Sequence, residues 1–114
     1  MPLSGGRKDG LPARAAAELV EHGEALLLDV REHDEWRAGH APGAVHIPLG
    51  ELAQRFAELP KGRRIVAVCR SGNRSALATE SLLRAGLEVE NLDGGMKAWQ
   101  KAGLPLEPRD GRVG

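Results

Sequence analysis

Two short, uninterrupted apolar runs constrain the fold of this chain more than any other feature. They are ALLLDV at residues 25–30 and RIVAVC at residues 64–69, and both have the length and composition of strands buried on both faces. Segments with helical spacing lie between and after them. Because parallel strands need a crossover connection, this alternation predicts an α/β fold with three layers. We expect a mainly parallel central sheet of four or five strands with helices on both faces.

The other elements are predicted from apolar periodicity and from the positions of glycine and proline. Two further strands are expected at residues 42–48 and 88–93. Helices are expected at residues 11–23, 31–40, 49–60, 75–86 (with Gly86 past the end) and 94–103.

The 114 residues match a common size for one domain, and no internal linker interrupts the pattern. The polar, glycine-rich residues 1–10 are expected to form a flexible lead-in, residues 11–105 the folded domain and residues 106–114 an extended C-terminal tail. The first residues have no apolar core of signal-peptide type, and no segment is long enough to span a bilayer. These features predict a cytoplasmic protein, in which a free thiol survives.

Charge argues against several classes of function. The chain has 16 basic and 16 acidic residues, so its formal net charge is +0. A general binder of nucleic acid or of membrane surfaces would carry an excess of positive charge. We therefore expect neither nucleic acid nor membrane among the partners, and no motif in the sequence requires a cofactor.

Cys69 is the only cysteine, and it lies where the second apolar run gives way to a polar loop, CRSGNR. A single cysteine excludes an internal disulfide, a C-x-x-C redox pair and a cysteine-rich zinc site. The loop follows a central strand at the edge where open α/β sheets bind ligands, and it leads into a helix N-terminus that favours negative charge. Gly72 allows the backbone to curl, while Arg70 and Arg74 add positive charge.

Two interpretations of Cys69 follow from these residues. In one, the thiol is a small hydrophobe at the end of a buried strand, as lone cysteines often are. In the other, it is a nucleophile whose pKa lies below the usual value of about 8.5 because of the arginines and the helix N-terminus. The loop favours the nucleophile, since a structural cysteine gains nothing from flanking arginines and a strand-to-helix turn.

Four stretches, taken in order, resemble the rhodanese-like sulfurtransferase domain over residues 11–105. LLLDVREHDEW at residues 26–36 is similar to the family's first central strand and its Asp-x-Arg. WRAGHAPGAVHIP at residues 36–48 is similar to the N-terminal signature of the family. VAVCRSGNRSA at residues 66–76 is similar to its active-site loop, and LDGGMKAW at residues 92–99 to its C-terminal signature.

The resemblance implies an enzyme, a rhodanese similar to thiosulfate sulfurtransferase, in which the Cys69 thiolate takes a sulfane sulfur from a donor and holds it as a persulfide. A thiol or cyanide acceptor then removes that sulfur, which is covalent catalysis in two steps. The expected partners are a small-molecule donor (thiosulfate or a persulfide), a thiol acceptor and a sulfur-relay protein. The alternative is a non-catalytic rhodanese-like module that binds partners or senses sulfur. The implied active-site and substrate-binding loop consists of Arg70, Ser71, Gly72, Asn73, Arg74 and Ser75.

Loop length separates this chain from the related phosphatases, which place five residues between the cysteine and an arginine. Four residues separate Cys69 from Arg74 here, and this tighter loop suits one sulfur atom better than a tetrahedral phosphate. Glu35 is a departure, because two-domain thiosulfate enzymes of the family carry an arginine there, just before the signature aromatic, here Trp36. This difference puts thiosulfate in doubt as the natural donor.

Asp29 and Arg31 follow the first apolar run and are predicted as supporting residues at the same edge of the sheet. They could orient the loop, but a structural ion pair that joins strand to helix is the favoured interpretation. His40 and His46 lie in the signature segment without any supporting ligand spacing, so no metal site is predicted. The glycines of DGG at residues 93–95 are expected to form a turn.

Overall fold

The computed structural model describes residues 10–114, and its elements follow the predicted alternation of strands and helices. Residues 1–9, which make up nearly all of the predicted lead-in, lie outside the described residues. None of the described helices combines the length and the apolar composition that crossing a membrane requires. The strands are β1 (Leu26–Asp29), β2 (Val45–His46), β3 (Ile65–Val68) and β4 (Val89–Asn91). The α-helices are α1 (Ala13–Glu21), α2 (His33–Ala38), α3 (Leu52–Arg55), α4 (Asn73–Arg84) and α5 (Gly95–Lys101).

The strands form one parallel sheet in the order β2-β1-β3-β4, which confirms the predicted α/β fold. All four residues of β3 are buried, which explains the unbroken apolar run that marks this strand in the sequence. Asp29 of β1 lies beside Val68 of β3 in the register, so the two central strands end together. The residues that follow them, Cys69 among them, are therefore collected at one edge of the sheet.

Alternate residues of the central strands pack on opposite faces of the sheet. Ala67 and Cys69 lie in a cluster with Leu82 on the face covered by α3 and α4. Val66 packs with Trp99 on the face covered by α1 and α5. Burial of a large apolar side chain contributes roughly 1.5–3 kcal/mol relative to leaving it exposed. Both faces of the sheet carry apolar side chains, so helices are needed on both faces to bury them, as the predicted three-layer arrangement provides.

The prediction of a single helix at residues 49–60 is wrong. The segment consists of a 3-10 turn at Leu49–Glu51, the one-turn α3 and a second 3-10 turn at Phe56–Glu58. Leu52 and Leu59 are buried, but Phe56 between them is 39% exposed. A continuous helix would place all three on one face. The changes between 3-10 and α geometry alter this spacing, and only the two leucines are buried.

Helix α4 begins at Asn73, two residues before the predicted start. Gly72 precedes it with φ +116, a left-handed conformation that favours glycine. Arg74 and Ser75 therefore belong to the first turn of α4. The backbone N–H groups of a first turn have no partners within their own helix, so they are available to a group at the end of β3.

The segment that follows α5 packs back on the domain. The backbones of His40 and Glu107 bond in both directions, with N–O distances of 3.0 and 2.7 Å. The Arg112 N–H donates to the Ala38 carbonyl at 2.8 Å. These bonds hold the last residues against the end of α2. The division into a domain ending at residue 105 and a separate tail stays a prediction.

Candidate active site

The Cys69 thiol lies at the floor of the loop between β3 and α4, and the residue is only 1% exposed. Its Sγ accepts a hydrogen bond from the Gly72 N–H at 3.1 Å. The Ser75 N–H and the Ser75 hydroxyl also point at Sγ, with donor–sulfur distances of 3.4 and 3.3 Å. Three donors thus converge on one sulfur atom. Such an arrangement stabilises an anionic sulfur.

Two opposing effects set the pKa of the Cys69 thiol. Burial is the largest single effect and raises the pKa, because a buried thiolate loses its hydration. Hydrogen bonds from the Ser75 side chain and from the backbone N–H groups of Ser75, Gly72 and Ser71 lower it, and together they outweigh burial. The pKa of Cys69 is therefore lower than that of an ordinary thiol, which favours the reactive thiolate.

Asn91, at the end of β4, braces this loop from the neighbouring strand. Its Nδ2 donates to the Gly72 carbonyl at 3.2 Å, and its Oδ1 accepts from the Ser75 hydroxyl at 2.5 Å. Sequence reasoning missed this residue. One signal was available, since a polar side chain that ends a strand beside β3 lies at the same carboxyl edge.

The predicted turn at DGG is present, and its second glycine has a further role. Gly94 and Gly95 have φ values of +77 and +63. A Cβ on Gly95 would lie 2.5 Å from the carbonyl oxygens of both Cys69 and Arg70. The Met96 N–H donates to the Cys69 carbonyl at 2.7 Å. The start of α5 therefore packs directly against the backbone of the cysteine loop.

Arg74 lies beside the thiol, but its charge is paired. Its Nη1 and Nη2 donate to the two carboxylate oxygens of Glu35 at 2.7 and 2.9 Å. The bonds from Arg74 hold the pKa of Glu35 at about 2, and they raise the pKa of Arg74. The glutamate that stood out in the sequence is thus the partner of the loop arginine, which the sequence did not indicate.

The side chains of Arg70, Ser71 and Asn73 donate no hydrogen bond to the sulfur. The Nε of Arg70 donates to the carbonyl of Gly114, and the side chain is partly exposed. Ser71 and Asn73 are exposed, and Ser71 acts on Cys69 through its backbone N–H. The structure therefore brings Gly72, Ser75 and the Ser71 N–H to the thiol, with Arg74 next to them.

Asp29 and Arg31 form a buried, bidentate ion pair in which Arg31 Nε and Nη2 donate to the carboxylate at 2.8–3.1 Å. Arg31 Nη2 also donates to the Gly39 carbonyl at 2.8 Å. The pair therefore joins the end of β1 to the end of α2. A supporting role for these residues in catalysis stays a prediction.

The aromatic of the signature segment is part of a ring stack. Trp36 stacks on His40 with a centroid distance of 3.6 Å and on His46 with a distance of 4.6 Å. The Nδ1 of His40 bonds to the Trp36 carbonyl and the Nε2 of His46 to the Arg31 carbonyl. Over residues 10–114 no group of three or more His, Cys, Asp or Glu side chains is arranged to hold a metal ion.

The fold and the site together define an α/β domain built around a loop that stabilises a thiolate. The chain belongs to the rhodanese-like domain family, whose sequence model matches residues 12–102. A solved structure of a rhodanese-related protein from Thermoplasma volcanium superposes with a TM-score of 0.80 at 31% identity. The match covers 84% of this chain and 94% of that one.

Two relatives carry more specific names. A sulfurtransferase of Allochromatium vinosum is 38% identical over 94 residues, which are 82% of this chain and 88% of that protein. An HTH-type transcriptional regulator of Mycobacterium tuberculosis is 50% identical over 97 residues. That match covers 80% of this chain but 42% of the regulator, so the chain spans less than half of that relative's length.

Proposed function

We propose that this rhodanese-like domain is a sulfurtransferase that moves a sulfane sulfur from a donor such as thiosulfate to a thiol or cyanide acceptor through a persulfide on Cys69. The observation that carries the proposal is the set of three donors around Sγ, from Gly72 N, Ser75 N and Ser75 Oγ. The lowered pKa of Cys69 supports it, because the thiolate is the nucleophile in sulfur transfer. The similarity to the sulfurtransferase of Allochromatium vinosum supports the same reaction class.

The proposed reaction has two displacement steps on sulfur. In the first, the Cys69 thiolate attacks the outer sulfur of thiosulfate, the S–S bond of the donor breaks, and sulfite leaves with the electron pair. The product is an anionic persulfide. In the second step, cyanide or a thiolate attacks the terminal sulfur, and the Cys69 thiolate is released with the electron pair of the broken S–S bond. The donors of the loop would stabilise the anion in both states.

The test is turnover with thiosulfate and cyanide, followed by detection of thiocyanate. Intact-mass spectrometry after exposure to donor alone should show the gain of one sulfur atom. Cys69→Ser should abolish both signals and leave the fold intact, since a hydroxyl cannot form a persulfide and the change in volume is small. Turnover that persists in Cys69→Ser would refute the proposal.

A second candidate is a module that accepts sulfur or binds a partner without turnover. The relative named as a transcriptional regulator favours it, because a domain like this one makes up part of that protein. The same measurements separate the two candidates. A sulfur-sensing module would gain one sulfur atom without releasing thiocyanate at a catalytic rate.

For the transferase, a sulfur-relay protein is the natural acceptor, since a protein thiolate can perform the second displacement.

A further inference from the structure

The ion pair of Arg74 and Glu35 lies next to the proposed nucleophile. Arg74 precedes Ser75 in the first turn of α4, and both the N–H and the hydroxyl of Ser75 point at Sγ. The pair is part-buried, with the side chains of Arg74 and Glu35 33% and 26% exposed. Arg74 is therefore a cation close enough to interact with Cys69, but its charge is already matched by a carboxylate.

Glu35 is held in place by its own helix as well. It is the third residue of α2, and its Oε1 accepts the Glu32 N–H at 3.0 Å in a reciprocal capping box. The same oxygen accepts Arg74 Nη1 at 2.7 Å. With a pKa of about 2, the carboxylate stays charged at neutral pH. The charge of Arg74 is thus offset as long as α2 is formed.

The other charges at this edge add little. Arg31 is matched by Asp29 in the buried pair. Arg70 has no Asp or Glu partner within residues 10–114, and its Nε donates to the Gly114 carbonyl. Of Arg31, Arg70 and Arg74, only Arg70 therefore lacks an Asp or Glu partner among the described residues. A dianion brings more negative charge than this edge offsets.

We propose that Glu35 sets the charge preference of the donor site, so that this domain favours donors whose sulfane-sulfur group carries one negative charge, such as thiosulfonates and organic persulfides, over dianionic thiosulfate. This inference rests on the proposed function, since the same attack by Cys69 is required. With a thiosulfonate, the thiolate takes the outer sulfur and a sulfinate leaves with the electron pair. With an organic persulfide, the leaving group is a thiolate.

The experiment compares two probes, thiosulfate and the methanethiosulfonate anion, which differ by a methyl group in place of one charged oxygen. The kcat/KM for each is divided by its rate constant with a free small thiol, which removes the difference in leaving groups. In the unmodified protein the normalised value should be higher for methanethiosulfonate. Glu35→Gln keeps an acceptor for the capping bond and for one Arg74 bond, but it frees the charge of Arg74.

Glu35→Gln should therefore raise the normalised kcat/KM for thiosulfate relative to that for methanethiosulfonate by roughly tenfold. The reason is that one nearby unit charge acts more strongly on a dianion than on a monoanion. The increase should shrink with added salt. Glu90→Gln is the matched control. Glu90 pairs with Arg64, the two side chains are 33% and 35% exposed, and Arg64 lies before β3, at the other end of the strand from Cys69. For Glu90→Gln, the ratio of the two normalised kcat/KM values should equal that of the unmodified protein.

The double variant Glu35→Gln/Arg74→Gln should return the ratio toward the original value, because the freed charge is removed. Circular dichroism and thermal melting check that each variant is folded. An unchanged ratio in Glu35→Gln, or a normalised preference of the unmodified protein for thiosulfate, would overturn the inference while leaving sulfur transfer in place. If the unmodified protein transfers sulfur from neither probe, the proposed function fails and this inference fails with it.

Discussion

The hydroxyl oxygen of Ser75 lies 2.5 Å from Asn91 Oδ1, closer than its 3.3 Å distance to Cys69 Sγ. A hydroxyl has one hydrogen, so Asn91 Oδ1, Cys69 Sγ and the Gly72 carbonyl, which also lies 3.3 Å away, compete for it. Asn91 Nδ2 donates to the Gly72 carbonyl, which fixes the amide with its oxygen toward Ser75. While the thiol is neutral, the shorter distance favours donation from the Ser75 hydroxyl to Asn91. A thiolate competes better, because hydrogen bonds to a charged acceptor are stronger.

Ser75→Ala should raise the pKa of Cys69, because it removes one of the hydrogen bonds that lower it. The measurement is the pH dependence of alkylation by iodoacetamide, with the urea-unfolded protein as the reference thiol. The midpoint should lie below the reference in the native protein and move toward it in Ser75→Ala, and sulfur transfer at neutral pH should fall roughly tenfold. Ser81→Ala, at an exposed position of the same helix, is the control. Equal midpoints in the native and unfolded protein would show that the loop does not activate the thiol.

Asn91→Asp should remove the hydrogen bond by which Asn91 braces the Gly72 carbonyl, and it should destabilise the Cys69 thiolate. A carboxylate cannot donate to the Gly72 carbonyl, and its charge lies close to Sγ through Ser75. We expect a loss of about 1–3 kcal/mol in the free energy of unfolding, together with a higher alkylation midpoint. Asn73→Asp adds the same charge at an exposed position of the loop and should have a smaller effect. Equal effects of the two variants would show that Asn91 does not position the loop.

Gly95→Ala should lower the free energy of unfolding by far more than backbone strain alone predicts. Its Cβ would lie 2.5 Å from two carbonyl oxygens of the cysteine loop, in addition to the strain of φ +63. Gly23→Ala is a matched control, with φ +71 and no atom within 4 Å of the added Cβ. Urea unfolding should show a loss of about 1 kcal/mol for Gly23→Ala and about 3 kcal/mol or more for Gly95→Ala. Sulfur loading of Cys69 should fall only in Gly95→Ala.

Stability at acid pH should depend on the ion pair of Glu35 and Arg74. The pair lowers the pKa of Glu35 from 4.5 to about 2, so its contribution is complete above pH 4.5. Between these values the unfolded carboxyl binds a proton while the folded one stays charged, so stability falls as the pH falls. The free energy of unfolding, measured by urea titration over this range, should decrease more steeply in the original protein than in Glu35→Gln. A constant difference between the two proteins at every pH would contradict this assignment.

The fold and the position of the thiol could be predicted because both depend on local patterns. The buried run at residues 64–69 identifies a central strand, and Gly72 after it identifies a tight turn into a helix. Parallel strands end together at one edge, so the location of Cys69 at that edge follows from the strand assignment alone. The same local logic failed at residues 49–60, where apolar spacing predicted one helix. The segment instead changes between 3-10 and α geometry, and Leu52 and Leu59 are buried without Phe56.

The sequence by itself therefore determined the α/β architecture and the cysteine loop, while the tertiary structure decided the environment of the sulfur. Glu35 and Arg74 are 39 residues apart, and Ser75 and Asn91 are 16 apart. No periodicity or turn signal links residues at such separations. Their pairing depends on the order of the strands and on how closely α2 and β4 approach the start of α4. A charge or a polar side chain acquires its partner only when that packing is complete.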